Sequence, residues 1–188
     1  MPKFNEIKKV YHGTTSNYAE QILRRINIKR GSPWADFGQG FYTTSSFIQA
    51  LNWARKRRDW YNLFNPKELV DGIIMSYKLD IENLVNLNGL IFNHQGHEWA
   101  RFIHKNRSEK ISFTHDKDFV YGSVADDKID ELIKSLDSGI INMSDFKQLI
   151  DSKRYGFNDQ LSFHTELSIQ CLKFIKEVKY DDQKKVSN

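Results

Sequence analysis

The side chains that could move protons, hold a metal or attack carbon are few in this 188-residue chain, and most lack organised spacing. His94 and His97 form an H-x-x-H pair, with His104 further along the same helical stretch. Zinc would want a third and fourth ligand in a matching frame, and no cysteine lies near. They read as scattered polar histidines, and no metal is expected. His115 sits in a charged loop. His12 is different, because it ends a strand, precedes Gly13 and is followed by the hydroxyls of Thr14 and Thr15. The single cysteine, Cys171, lies in an apolar helical pattern without a basic neighbour, which makes it a core residue and not a nucleophile. No nucleophile elbow is present. Gly38-Gln39-Gly40 lacks the third glycine and the upstream parallel strand of a dinucleotide fingerprint.

Two further stretches present polar or aromatic groups in a defined way. Residues 31–44, Gly-Ser-Pro-Trp-Ala-Asp-Phe-Gly-Gln-Gly-Phe-Tyr-Thr-Thr, read as a glycine-rich loop, a short strand and then a helix capped by Ser46 with Gln49. Gly38 and Gly40 allow positive φ or a close backbone approach. Tyr42 stands at the hinge, and Asp36 could bond the turn amides or a ligand. In 160–164, strand alternation puts Gln160, Ser162 and His164 on one face and Leu161 and Phe163 on the other. Arg55-Lys56-Arg57-Arg58 closes the helix after Ser46, favourably near a negative helix end, and reads as a solvated face before it reads as a nucleic-acid site.

The elements that must position these groups follow from periodicity. Strands are expected at 7–12, 72–79, 119–125, 160–164 and 174–180, with strand or irregular structure at 85–92. Helices are expected after Asn17 (capped with Glu20), from Ser46, and over 97–106, 129–136, 145–150 (capped by Ser144) and 166–172. Strands and helices interleave without a regular βαβ rhythm, which predicts a mixed α+β fold in one domain over 1–188, with a polar, frayed tail at 181–188. The net charge of +4 permits a polyanionic partner without arguing for one. No apolar run reaches the roughly 18 residues of a membrane span, and the first residues lack an apolar signal core. The cytoplasm is therefore the expected compartment, with no membrane partner.

Three segments taken in order carry a resemblance: Tyr11-His12-Gly13-Thr14, then Asp36-Phe37-Gly38-Gln39-Gly40-Phe41-Tyr42-Thr43-Thr44, then Asp159-Gln160-Leu161-Ser162-Phe163-His164-Thr165-Glu166. Over about residues 8–176 the chain resembles a bacterial family catalogued as DUF3990, related to the ADP-ribosyltransferases. It looks like the branch with a histidine, tyrosine and glutamate triad, shared by diphtheria toxin and the poly-ADP-ribose polymerases. That resemblance implies a split β-sheet, two small and mainly antiparallel sheets with flanking helices, cupping NAD as substrate. It implies that His12 bonds an NAD ribose hydroxyl, that the backbone of Gly13 holds the nicotinamide carboxamide, that Tyr42 stacks on nicotinamide, and that Thr14 and Gly40 belong to the NAD-binding set. Trp53, eleven residues on, matches a second stacking aromatic, and Asp36 is placed at the ligand. Arg101 and Arg107 are candidates for the pyrophosphate.

The third triad position departs from glutamate and falls on Gln160. Glutamine can bond a ribose hydroxyl but brings no negative charge to the oxocarbenium-like centre that forms as nicotinamide leaves. At about 4–5 Å and an effective dielectric near 20, that charge would contribute roughly 3–4 kcal/mol. The loss corresponds to about two to three orders of magnitude in rate. Asp159 and Glu166 are the carboxylates within reach, although Glu166 is expected to start a helix. The expected activity is mono-ADP-ribosyl transfer from NAD to a macromolecular acceptor, protein or nucleic acid, with His12, Tyr42 and Gln160 as the catalytic set. A catalytically silent NAD or ADP-ribose reader, or a toxin-like module acting on nucleic acid, are the alternatives, and a cognate antitoxin or inhibitor is a candidate partner.

Overall fold

The computed structural model describes residues 1–125, 129–151 and 158–180. The tail expected to be polar and frayed, 181–188, lies outside the described residues. The elements run β1 (Lys9–Thr15), α1 (Ser16–Arg24), β2 (Phe41–Thr43), α2 (Phe47–Phe64), β3 (Gly72–Leu79), α3 (Ile81–Leu84), β4 (Gly89–Ile91), α4 (His97–Arg107), β5 (Phe119–Ser123), α5 (Ile129–Asp137), α6 (Met143–Ile150), β6 (Asp159–Phe163), α7 (Glu166–Ile169) and β7 (Leu172–Lys179). They build an α+β fold with two sheets, β1-β3-β7 and β2-β6-β5-β4. Among the described residues, all pairings are antiparallel except β4 with β5, which is parallel.

Sequence explains the place of each strand. In β3 only Lys78 is exposed, so the strand reads as a continuous apolar run and takes the centre of its sheet. β7 is mostly exposed and carries Lys173, Lys176 and Lys179, charges that keep an edge strand from recruiting another chain. Alternation in β1 sends Val10 into the core between the sheets, where Met75 and Tyr77 meet Phe41, Leu161, Phe163 and Tyr121. Tyr11 instead joins Ala50, Ala54 and Ile74 beneath α2. The other face of the second sheet is covered by α4, α5 and α6, around the fully buried Trp99, Ile103, Phe146 and Ile150. Trp99 also donates its indole N–H to the Ser123 carbonyl (3.1 Å), so its polar end is satisfied inside the core.

Local signals shifted by a residue or two. Ser46 caps α2, accepting from the Gln49 N–H (3.2 Å), but the Gln49 amide does not reach back; it donates to the Asp159 carbonyl (2.8 Å) and ties α2 to β6. α1 starts at Ser16 behind Thr15, not at Asn17, and the Thr15 hydroxyl donates to the Asn17 side chain (2.7 Å). α6 is capped by Asn142, not Ser144, in a complete box with Asp145. Glu166 does start α7.

Candidate functional site

The two sheets meet through one rung. Tyr11 and Thr44 exchange both backbone hydrogen bonds (2.8 and 2.9 Å), and no second rung follows. Because strand alternation repeats every second residue, the N–H and C=O of Gly13 face the same edge as those of Tyr11, and those of Tyr42 face back toward them. A continued ladder would pair Gly13 with Tyr42. Instead β1 and β2 part, and the Gly13 N–H, the Gly13 carbonyl and the Tyr42 N–H take no protein partner among the described residues. The Tyr42 carbonyl is taken by a side chain: the His12 Nδ1–H donates to it at 2.7 Å. A carbonyl only accepts, so this bond fixes the Nδ1–H tautomer and leaves Nε2 as an acceptor. Burial is the main cause that lowers the His12 pKa to about 4, against the raising effect of the Tyr42 carbonyl, so the ring is neutral at pH 7.

Why β1 can come so close to α2 is a matter of one glycine. A Cβ at Gly13 would stand 2.2 Å from the Ala50 carbonyl oxygen and 3.0 Å from the Ala54 nitrogen. Register at the Tyr11–Thr44 rung puts Gly13 and Tyr42 on one side of the split. The His12 ring lies on the other, 4.4 Å from the Phe41 ring. Thr14 is buried in β1.

The loop of residues 31–44 is closed by Tyr42 itself. Its hydroxyl accepts from the Phe37 N–H (3.0 Å) and donates to the Gly38 carbonyl (2.7 Å). Gly38 has φ of +82°, a conformation that favours glycine. Burial first, then the charge of Asp36, raises the phenol pKa, so Tyr42 is a neutral ring clamped in one orientation. Gly40 packs against the Phe163 carbonyl and the His164 ring, leaving no room for a Cβ.

Gln160 stands on β6 on the Tyr42 side of the sheet, as alternation requires. Its Nε2 donates to Asp36 Oδ2 (2.9 Å) and to the Ser123 carbonyl (3.2 Å). Two acceptors settle which end of the amide carries hydrogen. Among the described residues, the one side-chain nitrogen or oxygen that is fully buried without a partner is Arg107 Nε. The unpartnered Gln160 Oε1 and His12 Nε2 therefore both reach the surface. Asp36 does not bond the turn amides; it accepts from the Ala125 N–H (3.1 Å) and from Arg107 (2.8 Å), which also grips Asp130 (2.7 Å). Burial works against the Arg107 charge, but Asp36 and Asp130 overcome it and hold its pKa above the usual value.

The carboxylates expected near Gln160 go elsewhere. Asp159 projects from the opposite face of β6 to the Thr44 hydroxyl (2.7 Å), the Ser45 N–H (2.9 Å) and the Tyr121 hydroxyl (3.2 Å). Glu166 pairs with Arg25 at 3.0 Å on the surface. The carboxylate that does reach Gln160 is Asp36, a contact across 124 residues of sequence. Residue-by-residue reading also missed His164 beside the Tyr42 ring (6.4 Å) and His115 behind it. His164 donates from Nδ1 to the Gln39 carbonyl (2.9 Å) and accepts at Nε2 from the Ser162 hydroxyl (2.8 Å), while its ring stands 4.5 Å from that of His115. Burial lowers the His164 pKa to about 4. The alternation of Gln160, Ser162 and His164 was the available signal.

Two other expected residues, Trp53 and Arg101, fall outside this cluster, and Arg107 enters it only as the partner of Asp36. Trp53 is half exposed on α2 with the Lys56 ammonium 5.8 Å above its ring. Arg107 is locked in its ion pairs, and Arg101 is exposed on α4. The basic run on α2 does not form one face, because Arg58 turns back over the Tyr180 ring (4.7 Å) and pairs with Asp59 (2.6 Å). Among the described residues, no three or more His, Cys, Asp or Glu side chains gather to hold a metal, and no helix is long and apolar enough to cross a membrane.

No curated protein and no solved structure matches the chain. A family model described as "protein of unknown function (DUF3990)" matches residues 8–174, nearly the whole chain, and the protein thus belongs to the DUF3990 family.

Proposed function

We propose that the protein binds NAD across the split between its sheets and transfers ADP-ribose to a macromolecular acceptor, releasing nicotinamide. The observation that carries this reading is the unpaired backbone of Gly13 beside the clamped ring of Tyr42. A donor and an acceptor on one strand edge match the two ends of a planar carboxamide, and backbone groups left inside a protein are as a rule paired. The neighbouring ring of Tyr42 offers a face to a cationic pyridinium. Gln160 Oε1 and His12 Nε2 are acceptors suited to ribose hydroxyls, on opposite sides of the split. The strand order, with the split between β1 and β2, also agrees with the split sheet that the resemblance to ADP-ribosyltransferases implies.

Chemistry in this reading rests on binding and orientation. Holding nicotinamide and ribose in a reactive geometry supplies proximity, while Gln160 orients the sugar without adding charge. The acceptor's nucleophile attacks the anomeric carbon as the bond to nicotinamide breaks. A second reading, a reader of NAD or ADP-ribose without turnover, is favoured by one observation: Gln160 is an amide, and the carboxylate beside it is already neutralised by Arg107. Nicotinamide release and calorimetric NAD binding by the purified chain, with a lysate as source of acceptor, separate the two. Release that Tyr42→Ala abolishes supports transfer, and tight binding without release supports the reader. If NAD neither binds nor is consumed, both readings fail.

A further inference from the structure

The Gln160 Nε2 faces two acceptors, Asp36 Oδ2 at 2.9 Å and the Ser123 carbonyl at 3.2 Å. Only a group with two hydrogens satisfies both. Asp36 is buried, and Arg107 on one oxygen with the Ala125 N–H on the other holds its carboxylate in place. A glutamate at 160 would set carboxylate oxygens against that carboxylate and against the Ser123 carbonyl.

We propose that Asp36, braced by Arg107, is a positioning residue that turns the Gln160 amide so that Oε1 faces the ribose side of the split. The part concerning ribose rests on the function proposed above; the part concerning the amide does not. Asp36 and Gln160 thus behave as one unit carrying a single negative charge, placed at 36. Gln160→Glu alone creates two adjacent charges and does not restore a triad. Moving the charge, with Asp36→Asn and Gln160→Glu together, keeps the total: the new amide at 36 keeps its oxygen toward Arg107 and donates to the new carboxylate at 160, at the cost of the Ala125 N–H bond and with the Ser123 carbonyl still facing the carboxylate.

The test is a cycle of parent, Q160E, D36N and D36N/Q160E in the full chain, read by thermal midpoint from pH 5 to pH 8 and by nicotinamide release from NAD. A carboxyl pressed against Asp36 has a raised folded-state pKa, so the stability of Q160E is greatest at low pH and falls as pH rises through that value. The expected result is a midpoint for Q160E that drops relative to the parent between pH 5 and pH 8, and a drop with pH that the double variant, with one carboxylate in place of two, largely loses. Loss of fold at pH 8 with recovery at pH 5 is the same result. In turnover, Q160E stays at or below the parent while the double variant exceeds it about tenfold or more, through kcat with little change in KM. A Q160E midpoint that tracks the parent across this range, or a Q160E chain unfolded even at pH 5, overturns the positioning role, since a protonated glutamic acid still supplies a hydrogen. So does a Q160E release rate equal to that of the double variant. If the parent shows no NAD binding or release, the function proposed above falls, while the thermal cycle, which needs no NAD, still decides whether Asp36 sets the amide.

Discussion

At the scale of the residue, Tyr42 joins two jobs that substitution can pull apart. Its hydroxyl closes the loop on Phe37 N–H and Gly38 carbonyl, and in the proposed function its ring is the wall that faces nicotinamide. Tyr42→Phe keeps the wall and strands the loop groups, a cost of about 1–3 kcal/mol. For a chain of this size that lowers the melting midpoint by roughly 2–4 °C per kcal/mol, which scanning calorimetry would show, with NAD affinity within a few fold of the parent. Tyr42→Ala also removes the ring, and loss of a stacking contact of about 2 kcal/mol weakens NAD roughly thirtyfold by calorimetric titration. Equal affinities for the two variants would remove the ring from the binding account. His12 and His164 give a second, independent prediction. Both are neutral in the fold with pKa lowered to about 4 by burial, against about 6.5 when unfolded. Below pH 6.5 the unfolded chain takes up protons that the folded chain refuses, so stability falls as pH drops from about 6.5 to about 4. Urea midpoints across that range should fall for the parent and fall less steeply for His164→Gln; parallel slopes would mean that His164 is not held neutral.

At the scale of the element, the close contact of α2 with β1 is tightly constrained. Gly13→Ala would drive a methyl to 2.2 Å from a helix carbonyl, and backbone cannot yield as a side chain tip can. Overpacking of this kind costs about 1–3 kcal/mol or more. The melting midpoint should drop by about 5–10 °C, with α2 displaced from the sheet; an unchanged midpoint would show that the helix sits further out than 2.2 Å implies. This is also the scale at which sequence was informative. Apolar periodicity located the main strands and helices and put Gln160, Ser162 and His164 on one face, because those patterns are local. Caps slipped where two nearby polar residues competed, as with Asn142 and Ser144 at the start of α6. The parallel pairing of β4 with β5 left no local trace in a three-residue strand. The contacts of Asp36 with Gln160 and Arg107 span 124 and 71 residues, and only the closed fold brings them together. Hence the carboxylate sought next to Gln160 in sequence was found on a distant loop.

At the scale of the whole molecule, the decisive feature is that two sheets share a core yet join by one rung. The common core of Val10, Met75, Phe41 and Phe163 holds them side by side, so the opening past Tyr11–Thr44 is not a loose end. The bond from His12 Nδ1 to the Tyr42 carbonyl spans it and replaces one bond of the missing ladder. Packing of α2 on one sheet and of α4, α5 and α6 on the other then keeps the split from zipping shut. Amide hydrogen exchange reads this arrangement directly, since backbone groups engaged in a ladder are protected and those outside it open at lower cost. Tyr11 and Thr44 N–H should exchange slowly, and Gly13 and Tyr42 N–H at least about tenfold faster. Addition of NAD should slow Gly13 and leave Tyr11 unchanged, because the carboxamide oxygen would take the Gly13 N–H while the rung is already made. Equal protection at all four amides without NAD would mean that β1 and β2 pair beyond Thr44 in solution, which would close the very edge to which the proposed function assigns nicotinamide.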